Sequence, residues 1–311
     1  LTIASFLGAI TAYIVIRVYQ RYRQEMRVIR NRVLGDSQVI ETSRGSVEYA
    51  ITGSGPPVLV IHGIGGGYDQ GLFLGQIGIE GFQLISISRF GYLGTPLPED
   101  ATPAAQADAH AALLDALGIP KAAIVGISAG GPSSLQFALR YPGQCAALVM
   151  VSAVNYEAPT HILRLADRLK WLIRSDFIGW VVVRYARIAL LYLFGIRKKV
   201  LDGLPPAQKQ WIEQFFETIL PLRWRAEGII NDIHHLAILD RLPLEYIKAP
   251  TLVIHADDDT TVSPNQGRYT AEGIPGARFV QLESGGHLLF GQHQKVRSEI
   301  KTFLKEHLKP V

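Results

Sequence analysis

Apolar residues fall along this chain in three patterns. The first is a set of short unbroken runs: PVLVIH (57–62), FQLISIS (82–88), KAAIVGI (121–127), AALVMVS (146–152), TLVIHA (251–256) and ARFVQL (277–282). Runs of six or seven without alternation predict strands covered on both faces, the habit of a parallel sheet. SVEYAIT (46–52) reads as an earlier strand, closed by the turn GSGPP. Helical stretches separate most of the runs. One opens at Thr102-Pro103, with proline at its first position, and continues through Leu117. The expectation is a mainly parallel sheet with helices on both faces.

The second pattern occupies residues 155–245, which read as helices throughout and carry Trp171, Trp180, Tyr185, Tyr192, Phe194 and Trp211. Its piece FIGWVVVRYARIALLYLFG approaches membrane-spanning length, but Arg184 and Arg187 stand in its middle. A charged pair at that depth is costly, so the prediction is a lid that packs over a site or rests on a bilayer. Packing of an ordinary cap explains the same residues.

The third is the N-terminal run LTIASFLGAITAYIVI, uncharged and extended past Arg17 by Val18-Tyr19. About nineteen residues at ~1.5 Å each give roughly 28 Å, the thickness of a bilayer core. A secretory signal peptide would place its charge before the run and a small-residue cleavage site after it, the reverse of what is found. A buried helix of a soluble domain is the plainer alternative. The expectation is a single-pass anchor over residues 1–36, including an arginine-rich juxtamembrane continuation. The α/β core is then expected over 37–154 and 246–311, with the lid over 155–245. Ala4, Gly8 and Ala12 form a small-residue stripe that would let two such helices meet in a homodimer.

Charge refines this picture. Residues 17–32 hold six arginines against Glu25, a net of +5, while the whole chain is +4. The basicity is therefore one local segment, and no nucleic-acid footprint is expected. By the positive-inside rule the segment would be cytoplasmic. A single cysteine, Cys145, excludes an internal disulfide. Zinc-finger spacing and HExxH are absent, and the neighbours His234 and His235 point apart on a helix. No metal or cofactor is expected.

The candidate chemistry starts at Ser128. Gly126-Ile127-Ser128-Ala129-Gly130 joins the run KAAIVGI directly to the helical stretch SSLQFALRYP, a strand–serine–helix turn that presents Oγ above a sheet. A nucleophilic serine needs a base, an orienting acid and an oxyanion hole. The acid is expected just after TLVIHA, where Asp257-Asp258-Asp259 stand together. Asp259 is the choice, Asp258 the alternative and Glu157 an outsider. The base is expected after the last strand, where Glu283-Ser284-Gly285-Gly286-His287 ends in His287; His110, His255 and His293 lack that context. The backbone N–H groups of Ala129 and of Ile64, within His62-Gly63-Ile64-Gly65-Gly66-Gly67, are the expected oxyanion donors. A nucleotide-binding reading of those glycines fails, because no Gly-Lys-Ser/Thr follows and Tyr68 stands where the last glycine of GxGxxG belongs.

HGIGGG, SRFGYLGTP, GISAGG, HADDD and SGGH, in this order over residues 40–308, resemble the α/β-hydrolase superfamily. With the N-terminal run added, the chain resembles bacterial membrane-anchored phospholipase A of that type. The resemblance implies an α/β-hydrolase fold with a helical lid. It also implies hydrolysis of acyl chains from membrane glycerophospholipids, activity on smaller esters, dimerisation through the anchor and a periplasmic domain on the inner membrane, against the charge rule. Aspartate stands in place of Ser128 in dehalogenases and epoxide hydrolases, which sets them aside. A general carboxylesterase or monoacylglycerol lipase, a carbon–carbon bond hydrolase and a tethered non-catalytic binding protein remain as alternatives.

Overall fold

The unbroken apolar runs form the middle of a sheet in the computed structural model, which describes residues 3–75, 81–156, 168, 170–194 and 204–308. Eight strands are present among these residues: β1 (Gln38–Thr42), β2 (Gly45–Thr52), β3 (Pro57–Ile61), β4 (Gln83–Ile87), β5 (Ala122–Ile127), β6 (Cys145–Val151), β7 (Thr251–Ala256) and β8 (Arg278–Leu282). They lie in the order β1-β2-β4-β3-β5-β6-β7-β8. From β4 to β8 every pairing is parallel, and β2 meets β4 antiparallel at the edge. The hairpin partner β1 is an addition to the predicted strands. Its residues are exposed or half-exposed, so it carries no apolar run to read.

Alternation along the strands divides the core between two faces. Leu59, Ile61 and Ile124 pack with Leu113 and Leu114 of the helix α3 (Pro103–Ala116). Val58, Val60 and Val125 pack on the other side with Val296, Phe303 and Leu304 of the last helix, His293–His307. Each fully buried aliphatic side chain contributes about 1.5–3 kcal/mol. The strand order reverses at β3, because β4 lies on one side of it and β5 on the other. In open parallel sheets, ligands bind beyond the carboxyl ends of the strands at such a point.

The N-terminal segment and the arginine-rich stretch form one helix, α1 (Ile3–Gly35), of 33 residues. Its two halves behave differently. Ile3, Phe6, Leu7, Ile10, Ile14, Val15 and Ile16 are exposed, whereas Met26, Ile29 and Val33 are buried against the body. Among the described residues no helix is long and apolar enough to cross a membrane, so the helix is seen without the expected span being shown.

Between β6 and β7 the described residues form helices. Asp176–Tyr185 and Arg187–Leu193 divide the long apolar piece at Ala186, and Pro206–Glu217 and Ala226–Leu236 follow. Trp180, Val183, Phe215 and Phe216 bury themselves with Met26 and Ile29 of α1 and with Phe290 beside β8. Ion pairs clamp the same contact. Arg30 reaches Asp176 at 2.7 Å, and Glu25 accepts from Arg184 Nε at 2.6 Å and Trp180 Nε1 at 2.9 Å. The charged half of α1 is thus part of the helical layer's support.

Candidate active site

Ser128 follows the end of β5 and begins a tight turn, Ser128–Gly130, that feeds the helix α4 (Gly131–Arg140). Its φ is +50°, a left-handed conformation that costs a non-glycine residue of order 1–3 kcal/mol. Packing around it enforces the turn. A Cβ on Gly130 would stand 2.5 Å from the Ile61 carbonyl oxygen, and one on Gly126 2.3 Å from Ser134 Oγ. The glycines therefore allow β5 and α4 to close on their neighbours and leave the serine as the strained residue.

His287 and Asp259 complete a chain of contacts on this side chain. Ser128 Oγ lies 2.9 Å from His287 Nε2, and His287 Nδ1 lies 2.8 Å from Asp259 Oδ2. All three residues are buried. With Nδ1–H donating to the carboxylate, the lone pair of Nε2 faces the serine hydroxyl. Asp259 Oδ1 accepts from the backbone N–H groups of Thr261 and Val262, at 2.8 and 2.9 Å. Burial pushes the Asp259 carboxyl pKa up, but hydrogen bonds from His255 and His287 outweigh it and hold the group below the usual carboxylate range.

The three consecutive aspartates have three different partners. Asp257 pairs with Arg268 at 3.0 Å and accepts from Gln281 at the exposed edge. Asp258, the alternative acid, faces the backbone of the histidine loop and accepts from Gly285 N–H at 3.2 Å and Gly286 N–H at 2.8 Å. Only Asp259 reaches the imidazole among them. Glu157 lies outside the described residues.

Two features escaped sequence reasoning. His255 Nε2 lies 3.1 Å from Asp259 Oδ2, so that one oxygen serves two imidazoles. The signal available was the four-residue spacing between a strand-end histidine and the acid. Phe194 of the helical layer also stacks on His287, with centroids 6.0 Å apart, and its carbonyl accepts from the His287 N–H at 3.3 Å. No sequence spacing encodes that contact.

Gly63 and Ala129 bring backbone close to the Ser128 side chain. A Cβ on Gly63 would lie 3.0 Å from Ser128 Cβ and 3.6 Å from its Oγ, so the Gly63-Ile64 peptide borders the hydroxyl. Ala129 is the next residue in the turn. His62 Nδ1–H donates to Gly63 O at 2.7 Å, while Nε2 accepts from Arg89 N–H at 3.1 Å. Burial, followed by the nearby Arg89 charge, holds the His62 pKa well below its usual value and keeps the ring neutral. Behind His287 lies an apolar cavity of about 100 Å³, walled by Leu74, Ile127, Val151, Trp211, Leu288 and Ile300 with Arg297 also lining it. Among the described residues no cluster of histidine, cysteine, aspartate or glutamate is arranged to hold a metal ion, and His234 and His235 gain no third ligand.

Several known proteins share this arrangement of chain. A hydrolase of Bacillus subtilis, itself uncharacterised, is 28% identical over 268 residues, covering 81% of this chain and 92% of its own. The structure of an α/β-hydrolase fold protein from Nakamurella multipartita superposes with a TM-score of 0.70 at 32% identity, covering 86% of this chain and 98% of its own. A structure described as a membrane phospholipase A, a bacterial virulence factor, superposes with a TM-score of 0.66 over 97% of this chain and 96% of its own; at 19% identity it shows the fold alone. The α/β-hydrolase fold family profile matches residues 56–294, a segment that runs from β3 past the loop carrying His287, and the chain is a hydrolase belonging to that family.

Proposed function

We propose that this hydrolase is a serine carboxylic-ester hydrolase that releases fatty acids from membrane glycerophospholipids or lysophospholipids through an acyl-enzyme. The observation that carries the reading is the contact series Ser128 Oγ–His287 Nε2–His287 Nδ1–Asp259 Oδ2, at 2.9 and 2.8 Å. As Oγ attacks the ester carbonyl carbon, His287 takes its proton, and the buried Asp259 stabilises the imidazolium and fixes its tautomer. The amides of Ile64 and Ala129 hold the developing oxyanion, at about 3 kcal/mol for one such donor. His287 returns the proton to the departing glycerol oxygen, and the lipid minus that acyl chain leaves as the alcohol. A water then attacks the acyl-enzyme by the same route in reverse and frees the acid.

The acyl part of the proposal draws on the apolar cavity against His287. The membrane part draws on α1, whose exposed apolar turns, Ile3 to Ile16, suit lipid hydrocarbon while the adjoining arginines suit headgroups. The inner membrane, a periplasmic catalytic domain and pairing of two copies through these turns belong to the same proposal. One observation favours a second reading, a general carboxylesterase or monoacylglycerol lipase: among the described residues no helix is long and apolar enough to cross a membrane.

The test is to incubate the purified full chain with mixed phospholipid vesicles, with lysophospholipid and with short-chain nitrophenyl esters, and to identify the acids released. Fatty acid release from the lipids at rates above those on the short esters is expected, and activity confined to the short esters would leave the second reading. Ser128→Ala lowers turnover by about 10⁴-fold or more. Asp259→Asn lowers it by about 10⁴-fold, whereas Asp258→Asn retains most of it. The reverse order of the two aspartates would exchange their roles.

A further inference from the structure

The oxyanion loop is supported from a part of the chain that lies far from it in sequence. Asp232, on the helix Ala226–Leu236, receives a two-pronged ion pair from Arg89, with Nη1 to Oδ1 at 2.7 Å and Nη2 to Oδ2 at 2.5 Å. Tyr92 Oη donates to the same Oδ2 at 2.5 Å. Arg89, Tyr92 and Asp232 are all buried. The Tyr92 oxygen also accepts from Gly65 N–H at 3.4 Å, and its ring stands edge-on to His62 with centroids 4.7 Å apart. A continuous path therefore runs Gly65 N–H, Tyr92 Oη–H, Asp232 carboxylate.

The geometry of the loop gives this path a task. Gly66 N–H closes a turn onto Gly63 O at 3.2 Å, and its third residue, Gly65, has φ +75°, as a type II turn requires. Such a turn converts to type I by rotating its central peptide, and the N–H of that peptide is the Gly65 N–H that Tyr92 holds. The first peptide of the turn is held at its other end, where His62 Nδ1–H donates to Gly63 O. Because a trans peptide is planar, fixing Gly63 O sends the Ile64 N–H in the opposite direction. Tyr92 and His62 thus fix two successive peptides, and Ile64 N–H belongs to the first of them.

The helix does not depend on the tyrosine hydroxyl for its own attachment. The Arg89 fork already occupies both Asp232 oxygens, Gly228 N–H donates to Gly91 O at 2.9 Å, and Gly228 presses on the Tyr92 ring so closely that a Cβ there would lie 2.2 Å from it. What the hydroxyl adds is the bond to Gly65. Burial and the neighbouring Asp232 charge push the Tyr92 pKa well above its usual value, so the hydroxyl keeps its proton.

We propose that Tyr92 is a positioning residue for the oxyanion loop and that Asp232, acting through it, makes the helix Ala226–Leu236 a working part of the site. This rests on the serine-hydrolase reading above. Tyr92→Phe keeps the ring and removes only the oxygen. The expected result is a kcat on a soluble ester lowered about tenfold with KM unchanged, since a loosened donor weakens the transition state and leaves ground-state binding alone. The affinity for an alkylboronic acid, which forms a tetrahedral adduct on serine, falls by the same factor, while the melting midpoint stays at the wild-type value. Asp232→Asn, which keeps the shape and weakens the acceptor, gives a smaller loss of kcat and of boronate affinity, together with a lower melting midpoint because the buried Arg89 charge loses its partner. Wild-type kcat and boronate affinity in Tyr92→Phe would overturn the proposal. So would a joint shift of kcat, KM and melting midpoint, which would make the contact structural only. If Ser128→Ala kept full turnover, the serine reading would fall and this proposal with it. A dead Ser128→Ala beside an unaffected Tyr92→Phe would remove this proposal alone.

Discussion

The sheet interior is held by apolar contacts, whereas the helical layer above it adds charged pairs to an apolar cluster of its own. In the sheet, Leu59, Ile61, Ile124 and Leu148 are fully buried and meet other apolar groups. In the layer, a guanidinium with no exposed surface, Arg225, bridges Asp69 at 2.8 Å and donates to the carbonyls of Gly66 and Leu220. Arg89–Asp232 repeats the device, and Arg30–Asp176 is a half-exposed version of it. Apolar packing is tolerant of which neighbour supplies the contact and sensitive to volume. A buried ion pair is sensitive to identity, because each partner is costly to bury without the other. Two of these polar attachments touch the loop that borders Ser128, Arg225 at Gly66 and Asp232 through Tyr92 at Gly65.

The largest effect expected from breaking this contrast is at Arg225. Arg225→Ala leaves Asp69 and two carbonyls short of donors and lowers unfolding stability by about 3–5 kcal/mol, read from the urea midpoint. A loss below about 1 kcal/mol would mean that the layer is held chiefly by its apolar contacts. The next effect, from acid, separates the two regions by pH. His62 and His110 lie against the sheet, with burial holding His62 well below its usual pKa and His110 down at about 3. Both are neutral in the folded state while the unfolded chain takes up protons below about pH 6.5, so their contribution is complete above that value and is lost as pH falls. Each such group removes about 1.4 kcal/mol by pH 5.5. Urea midpoints at pH 7.5 and 5.5 test this, and equal values would rule it out. The smallest effect is at Arg174–Glu227, a 3.0 Å pair with both side chains about half exposed. Arg174→Ala there changes stability by less than about 1 kcal/mol, and added salt shrinks the effect further.

What could be read from the sequence follows the same division. The strands β3 to β8 were legible because burial on both faces leaves unbroken apolar runs, and the order serine, aspartate, histidine along the chain follows from which strands end beside one another. β1 was not legible, since an edge hairpin of half-exposed residues has no such run. Hydropathy alone reads only part of the N-terminal helix. It registers apolar residues but cannot see that Met26, Ile29 and Val33 form a stripe docked on the protein. The ion pair between Arg89 and Asp232 joins residues 143 apart, and nothing local announces it. Among the three aspartates, spacing from the strand end favoured Asp259, but only the backbone path shows why Asp258 turns instead to Gly285 and Gly286.

That acidic trio has a consequence for tolerance to insertion and deletion. Its members look interchangeable in composition, yet the first faces Arg268 and Gln281, the second steadies the histidine loop and the third reaches the imidazole. Deleting any one of the three would bring Thr260 into the third post and leave the imidazole without its carboxylate. Loop length, far more than acidity, is the quantity an engineer would have to hold constant.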